Sequence, residues 1–214
     1  MNNNEIFKYV DHTRLAAIST LDEIRTLCNE AVKYGTASVC IPPCYIETAK
    51  KEFPSLNICT VIGFPLGYCT TETKVFETKD AVAKGADEID MVINVCYVKN
   101  KQFDAVLDEI KAVKAACGGK LLKVIIETCY LTDDEKIKLC QLVTEAGAEF
   151  IKTSTGFGTA GAKAEDIVLF KENIGESVKI KAAGGIRTKE DMEDFIKLGC
   201  SRIGTSGAVK ALSE

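Results

Sequence analysis

Two lysines stand in apolar, strand-like segments of the second half of the chain. Side chains of a strand alternate between its two faces, so Lys152 shares a face with Phe150 and Ser154. In the next such segment, Lys181 shares a face with Lys179 and lies nearer the end of the strand. A lysine inside a folded domain is costly unless it is paired or used. A lysine that reaches solvent or pairs with an acid is the alternative to a reactive amine.

The proximity of two amines would change their chemistry. If the two segments are neighbouring strands, Lys181 lies beside Lys152, and each ammonium group disfavours the charged form of the other. A lysine whose pKa is lowered in this way can attack a carbonyl carbon. The pair therefore predicts a Schiff base at Lys152 with Lys181 as the perturbing charge, whereas Lys179 is expected to be structural.

Carboxylates in two other strand-like segments are candidates to work with these lysines. Asp90 alternates with the apolar Ile89 and Met91, so it is expected to point to the same side as the lysines. It would move protons through water or form a simple ion pair, and both roles stay open. Glu127 ends a further segment and is a weaker candidate, expected to position a neighbour or to pair with a cation.

Eight strand-like segments alternate with helical segments along the whole chain. Helix boundaries are marked by residues such as Thr20, which opens a capping box, and Gly35, which ends that helix. Alternation of this kind implies a parallel sheet. Eight units favour closure into a single-domain (β/α)8 TIM barrel over residues 1–214. The predicted strands are residues 9–13, 38–41, 59–64, 88–94, 122–127, 150–154, 179–183 and 202–206.

A faint internal repeat groups some of the candidates. Four helices end in a glycine, and the intervals between these glycines correspond to about two βα units. Alternate strands of such a barrel contribute side chains to the same interior layer. The residues five positions after the four glycines are therefore predicted to share one layer, and they are Cys40, Asp90, Lys152 and Gly204.

Glycine-containing turns follow the last two predicted strands. Gly184-Gly185 follows the seventh strand, and Gly204 and Ser206 follow or end the eighth. Barrel phosphate sites commonly use these two loops, where backbone N–H groups approach the anion closely. The turns predict a phosphate site, with Ser206 as a hydroxyl donor. Arg187 is interpreted as a solvated residue at the start of a helix.

Composition narrows the remaining function classes. The net charge of -4 gives no basic footprint for nucleic acid, and no run of about 18 apolar residues predicts a membrane span. The ten cysteines form no CxxC pair and the chain has one histidine, so no metal site is expected. His12 is expected to be a hydrogen-bonded structural residue. The start of the chain has no signal-peptide pattern, so we expect a cytoplasmic protein with free thiols.

Motifs along nearly the whole chain resemble the deoxyribose-phosphate aldolase family, a family of class I aldolases. The most specific are FIKTSTGF at 150–157 and IKAAGGIRT at 180–188, in this order. The other matching segments are VDHTRL at 10–15, VIGFPLG at 61–67, EIDMVIN at 88–94, KVIIET at 123–128 and RIGTSG at 202–207.

The resemblance implies a role for each matching residue. Lys152 matches the Schiff-base lysine, Lys181 the lysine that perturbs its pKa, and Asp90 the acid that shuttles protons through a water. Positions that match the phosphate loops are Gly156, Gly184, Gly185, Gly204 and Ser206. Cys40 matches a cysteine that lines the pocket, and Asp11 an acidic residue near it. The implied reaction is reversible cleavage of 2-deoxy-D-ribose 5-phosphate into D-glyceraldehyde 3-phosphate and acetaldehyde, with no cofactor and in a homodimer.

Two positions depart from the resemblance. Some members carry a phosphate-holding lysine where this chain has Phe157, and some end in a tyrosine that has no counterpart after Ala211. These departures concern phosphate affinity and proton transfer rather than the reaction type. Two alternatives remain: a Schiff-base barrel aldolase that uses dihydroxyacetone phosphate or pyruvate, and a non-catalytic barrel that binds a phosphosugar.

Overall fold

The computed structural model describes residues 1–213, so Glu214 lies outside the described part. Eight parallel strands close into one barrel, each paired with its neighbours in chain order and β8 paired with β1. The strands are β1 Val10–Thr13, β2 Ser38–Ile41, β3 Ile58–Ile62, β4 Glu88–Val92, β5 Leu121–Ile125, β6 Phe150–Lys152, β7 Lys179–Ala183 and β8 Arg202–Thr205. The predicted (β/α)8 fold is confirmed, and the single-domain boundaries 1–214 stay a prediction.

Helices connect successive strands on the outside of the barrel, and one short helix precedes β1 and another follows β8. They are α1 Asn3–Phe7, α2 Leu21–Tyr34, α3 Ile46–Glu52, α4 Thr71–Ala83, α5 Val95–Lys99, α6 Phe103–Ala116, α7 Asp133–Glu145, α8 Ala164–Asn173, α9 Lys189–Leu198 and α10 Ala208–Leu212. Capping boxes open α2, α7 and α9 at Thr20, Thr132 and Thr188. Across residues 1–213, no helix is long and apolar enough to cross a bilayer.

Five strands end earlier than predicted, β8 by one residue and β3, β4, β5 and β6 by two, because the chain turns into loops there. Gly63 follows β3 with a φ of +62°, and Glu127 follows β5 with a φ of +54°. After β4, the side chain of Asn94 caps α5 by accepting a hydrogen bond from the Cys96 amide. After β6, the Thr153 amide still donates to the carbonyl of Lys181, so the chain continues beside β7 for one more residue.

Alternation along the strands separates two kinds of buried residue. Outward residues such as Val39, Ile89 and Ile180 pack under the helices in one apolar core. The inward face of the barrel is different, because it carries buried acids and lysines among small apolar groups. Strand pairing places Lys152 directly opposite Lys181 and Asp90 directly opposite Lys123. The fold thus brings opposite charges together inside the barrel.

Candidate active site

Lys152 is the last residue of β6, and its side chain is 3% exposed. Its Nζ donates to Oδ2 of Asp90 at 2.7 Å. Lys181, its direct partner on β7, donates to the same oxygen at 2.8 Å. The two amines therefore do not face each other unscreened, because one carboxylate oxygen lies between them. The predicted neighbourhood of Lys152, Lys181 and Asp90 is confirmed by this geometry.

Asp90 uses both of its oxygens. Oδ1 accepts from Lys123 Nζ at 2.8 Å and from the thiol of Cys59 at 3.1 Å. Burial would raise the pKa of Asp90, but Lys123, Lys152 and Lys181 lower it well below the ordinary value. Asp90 is thus an anion that orients amines, and in this state it can accept a proton but has none to donate.

The charge state of Lys181 depends on more than the neighbouring amine. Burial would lower the pKa of Lys181, but the nearby carboxylates of Asp11 and Asp90 raise it above its ordinary value. The Nζ of Lys181 lies 2.5 Å from Oδ2 of Asp11, which is itself buried and has a lowered pKa. Mutual repulsion of two amines therefore does not neutralise Lys181, and this lysine stays a fixed positive charge beside Lys152.

Three residues of this network were not predicted as site residues from the sequence. Lys123 contacts Glu88 at 2.6 Å and lies 3.7 Å from Asp11, in addition to its bond to Asp90. Arg202 closes the network by pairing with Asp11 at 2.5 Å and with Glu88 at 2.9 Å. The signal for Lys123 was available, since it stands in β5 with the same inward parity as Glu127.

Counting charges in this network shows an imbalance. When every group is ionised, four cations face three carboxylates, so the loss of one proton brings the network to neutrality. Lys152 has one carboxylate partner, whereas Lys181 has two and Lys123 three. Lys152 is also the lysine of the three that lines the open cavity described next.

A cavity of about 440 Å³ opens above Lys152 at the C-terminal ends of the strands. Its wall combines Leu15 and Arg14 from the loop after β1 with the loops after β6, β7 and β8. All five predicted phosphate-loop residues line it, namely Gly156, Gly184, Gly185, Gly204 and Ser206. The cavity therefore has the Lys152 amine at its base and these five loop residues, which we call the glycine rim, along one side.

Backbone geometry explains Gly184 in this wall and Gly161, which packs against it. Gly184 has a φ of +86°, which is unfavourable for residues with a Cβ. The loop after β6 packs its backbone directly on this turn, since a Cβ at Gly161 would overlap the Gly184 carbonyl. The amide of Ala162 donates to that same carbonyl at 3.1 Å. Gly161 was not predicted, although it fixes the position of the glycine rim.

Cys40 and Asp11 lie outside the cavity wall, whereas Arg187 belongs to it. Cys40 and Asp11 were predicted at the pocket, but they lie beneath the cavity, fully buried, and are not part of its lining. Their strand parity points them into the closed barrel, at a level below the side chains that surround the opening. The sequence interpretation of Arg187 as a solvated residue was incomplete, because this exposed residue lines the cavity beside the glycines.

Glu127 and His12 are buried residues that form hydrogen bonds. Glu127 is 3% exposed and accepts hydrogen bonds from both the amide and the hydroxyl of Thr155, so it positions the loop after β6. It contacts no cation in the described ion pairs. His12 is buried, and its Nε2 lies 2.7 Å from Oε2 of Glu30. The prediction of a hydrogen-bonded histidine is confirmed.

Three of the four residues predicted to share a layer lie together, because Asp90 bonds to Lys152 and stands near Cys40. Cys40 Sγ, Cys59 Sγ and an Asp90 oxygen lie within 4.8 Å of one another. Gly204 leaves room for Lys181, because a Cβ there would stand 3.1 Å from the lysine Cε. The thiols and the carboxylate resemble a set of metal ligands, but lysine ammonium groups already contact both oxygens of Asp90 and would repel a cation.

An eight-stranded parallel barrel with its buried amines below a cavity at the strand ends defines a TIM-barrel enzyme for a small molecule. Comparison with known proteins specifies the family. The model of the DeoC/LacD family aldolases matches residues 6–212. The chain therefore belongs to the DeoC/LacD family of aldolases, which are carbon–carbon lyases.

Individual relatives agree with this assignment. A deoxyribose-phosphate aldolase of Clostridium botulinum (strain Alaska E43 / Type E3) is 60% identical over 213 residues, covering 99% of this chain and 96% of the relative. The crystal structure of a putative deoxyribose-phosphate aldolase from Coccidioides immitis has a TM-score of 0.96 at 38% identity, covering 100% of this chain and 86% of that one. The resemblance inferred from the motifs is confirmed.

A more distant relative shows how well the fold is kept. The deoxyribose phosphate aldolase from Aeropyrum pernix, described as having a unique tetrameric structure, is 31% identical with a TM-score of 0.91. The match covers 99% of this chain and 91% of that one. The whole barrel, rather than a part of it, is therefore shared.

Proposed function

We propose that this chain is a class I aldolase that reversibly cleaves 2-deoxy-D-ribose 5-phosphate into D-glyceraldehyde 3-phosphate and acetaldehyde, in the breakdown of deoxyribose phosphates. The observation that supports this most is the position of Lys152. It stands at the floor of the cavity, with a single carboxylate partner, in a network that carries one cation more than it has anions. Family membership and the relatives' names support the same substrate.

In the proposed mechanism, Lys152 loses its excess proton and attacks the open-chain aldehyde carbon of the substrate. Loss of water gives a protonated imine, which accepts the electron pair when the carbon–carbon bond breaks. Glyceraldehyde 3-phosphate leaves, and the enamine of acetaldehyde stays on Lys152. The hydroxyl proton lost in the cleavage passes to a water held by Asp90 and from there to the enamine carbon, and hydrolysis of the resulting imine frees the amine. No step requires a metal or an organic cofactor.

The charges beneath Lys152 have separate tasks in this scheme. Asp90 holds the amine in place and lends its negative charge to the iminium that forms. Lys181, kept charged by Asp11 and Asp90, limits how strongly Asp90 can stabilise a protonated Lys152 before the substrate arrives. Because these groups are fixed by buried ion pairs, little reorganisation is needed during the reaction.

Covalent trapping tests the assignment of Lys152. Incubation with acetaldehyde and borohydride should add one reduced two-carbon group, and peptide mapping should place it on Lys152. The Lys152→Arg variant keeps the positive charge and should neither be labelled nor cleave the substrate. A label on another lysine, or turnover with pyruvate or dihydroxyacetone phosphate as donor instead of acetaldehyde, would contradict the proposal.

We further propose that the phosphate binds at the glycine rim, with Arg187 supplying the positive charge that Phe157 cannot provide. Phe157 packs edge-on against Phe64, with ring centroids 5.3 Å apart, and forms an apolar wall. A charge-assisted hydrogen bond contributes about 1.5–3 kcal/mol. Arg187→Met should therefore raise the KM for the phosphorylated sugar by roughly 10- to 100-fold. Turnover of unphosphorylated 2-deoxyribose should be unchanged.

A matched control for Arg187 is available in the same turn. Lys189 begins α9 but does not line the cavity above Lys152. Lys189→Met removes the same charge and should leave both KM values within about twofold of wild type. If both variants weaken the phosphorylated substrate equally, a general positive field rather than Arg187 binds the phosphate.

Two expectations on the state of the protein stay predictions. The homodimer rests on the family resemblance, and one relative is described as a tetramer. The cytoplasmic location rests on the sequence pattern, and all ten cysteines are free thiols in the structure. Light scattering on the purified protein tests the first expectation, and fractionation of cells that express it tests the second.

A further inference from the structure

Two cysteines face each other inside the barrel, one residue layer below the cavity. Cys40 on β2 and Cys59 on β3 are direct partners in the strand register, and both are fully buried. Their sulfur atoms lie within 4.8 Å of each other and of an oxygen of Asp90. The proposed mechanism gives no task to either thiol.

We propose that Cys40 and Cys59 form a reversible disulfide when the protein meets hydrogen peroxide, and that this bond switches off the site built around Asp90. The loss of activity rests on the function proposed above. The disulfide itself does not, because mass spectrometry detects it whatever the substrate is.

Backbone geometry favours the bond. Neighbouring strands lie about 4.7–4.9 Å apart, so directly opposite residues have Cα separations close to this value. Disulfides span Cα separations of about 4.4–6.8 Å. Both side chains also point into the barrel interior, where they form one small cluster with Val61. The sulfur atoms can thus meet by side-chain rotation with little movement of the strands.

The two thiols are not equivalent. A hydrogen bond with Cys59 lowers the pKa of Cys40 against the effect of burial, and Lys181 adds to this. Burial raises the pKa of Cys59 well above its ordinary value. Cys40 is therefore the thiol that reacts first and Cys59 the one that resolves, since the thiolate is the nucleophile.

The proposed chemistry balances with one peroxide per pair. The Cys40 thiolate attacks a peroxide oxygen, the O–O bond breaks, and the leaving hydroxide takes up a proton to become water. Cys40 is now a sulfenic acid. The sulfur of Cys59 displaces its hydroxyl group as a second water and forms the S–S bond. Two thiols are oxidised and one peroxide is reduced, and a dithiol reverses the change by exchange.

The thiol cluster lies close to the open cavity from which peroxide can enter. Leu15 packs against the thiol cluster on one side and lines the open cavity on the other. Leu15 is thus a partly buried side chain shared by the cavity wall and the thiol cluster. Replacing it with a smaller residue should speed the oxidation without touching either thiol.

Oxidation would disturb the network that holds Lys152. The Cys59 thiol donates to Oδ1 of Asp90 at 3.1 Å, and its sulfur lies 3.3 Å from Lys123 Nζ. A disulfide removes the donor and draws the sulfur toward Cys40. Asp90 would shift with it, and a displacement of about 1 Å in a catalytic group can cost about 10²-fold in rate.

The experiment compares the full-length protein with Cys59→Ser, which keeps a donor for Asp90 but cannot form the disulfide. Both proteins also carry Cys44→Ser and Cys69→Ser, because the tryptic peptides that contain Cys40 and Cys59 each hold one of these additional cysteines. Peroxide should lower the cleavage rate of the parent about 10²-fold, with recovery in dithiothreitol, and Cys59→Ser should keep its own untreated rate. Leu15→Ala should lose activity faster than the parent.

Peptide mapping reports on the bond independently of turnover. The parent should yield one linked pair of peptides containing Cys40 and Cys59, with the loss of two hydrogens. A parent that loses activity without this linked pair, or a Cys59→Ser variant that loses activity just as fast, would overturn the proposal. A linked pair that leaves the rate unchanged would overturn the switch.

Discussion

Two fully buried lysine–carboxylate systems in this molecule behave in opposite ways. Inside the barrel, Asp90 is shared by Lys123, Lys152 and Lys181, and its pKa is lowered. Outside the barrel, between α4 and α6, Lys74 pairs with Glu109 alone at 2.6 Å. There, burial lowers the pKa of the lysine and raises that of the acid, so burial outweighs the attraction.

The difference between the network and the isolated pair indicates what keeps a buried group ionised. Desolvation acts on every buried group, and one opposite charge offsets only part of it. Asp90 has three cations around it, whereas Glu109 has one cation and the Asn94 amide. In the isolated pair, burial favours the neutral form of each group. The network stays charged, and a network with one cation in excess is suited to release a proton from an amine.

The largest expected contrast concerns activity after loss of a lysine. Lys152→Met removes the proposed nucleophile and should lower the cleavage rate by at least about 10⁴-fold. Its free energy of unfolding should stay within about 1.5 kcal/mol of wild type, because the network then has equal numbers of cations and carboxylates. Steady-state kinetics and urea unfolding at pH 7 measure both quantities.

Lys74→Met is the control for this experiment. It removes the same charge from an equally buried position, but Lys74 has no contact with the network and donates instead to Glu109 and the Val92 carbonyl. Its cleavage rate should remain within about threefold of wild type. If Lys152→Met still cleaves the substrate, Lys152 is not the nucleophile, and the network and the isolated pair do not differ in function.

The next contrast concerns stability after loss of an acid. Asp90→Asn leaves four cations with two carboxylates and should cost about 3–5 kcal/mol of unfolding free energy. Glu109→Gln should cost about 1 kcal/mol or less, because burial raises the pKa of Glu109 and so favours its neutral form. Urea unfolding at pH 7 gives both values, and equal losses would show that the number of partners does not decide the outcome.

The sequence predicted much of this site because strand parity is local. Alternation put Asp90, Lys152 and Lys181 on the inward face, and the glycine repeat put the first two in one layer. The contacts in which several cations share one carboxylate join residues that are far apart in the sequence. Arg202 meets Asp11 across 191 positions only because β8 closes on β1, and nothing in either segment shows that pairing.

The same limit explains what the sequence interpretation missed at Lys181 and at Cys40. Adjacency gives the repulsion between Lys152 and Lys181, but Asp11, which reaches Lys181 from another strand, raises the pKa of Lys181. The family resemblance placed Cys40 at the pocket, and strand parity could not correct this because it gives the direction of a side chain but not its depth. Depth depends on how far each strand is staggered, which follows from closure of the whole barrel.

The smallest predicted effect tests the isolated pair through pH. A carboxyl whose folded pKa is raised contributes stability that is present below its unfolded value and is lost as the pH rises through the folded value. For Glu109 this loss begins above about pH 4.5. Wild type should therefore lose stability relative to Glu109→Gln as the pH rises from 4.5 toward 7, by up to about 1 kcal/mol.

The network sets the background for that measurement. Asp90 and Asp11 have lowered pKa values, so their stabilisation is present above pH 3.8 and is lost as the pH falls below it. Both proteins keep these acids and should weaken together at low pH, which leaves the difference between them free of the network. Urea unfolding of wild type and Glu109→Gln from pH 3 to 7 gives that difference. A flat difference, or one that favours wild type more as the pH rises, would mean that Glu109 is held as an anion like Asp90, and the contrast between one counter-charge and three would not hold.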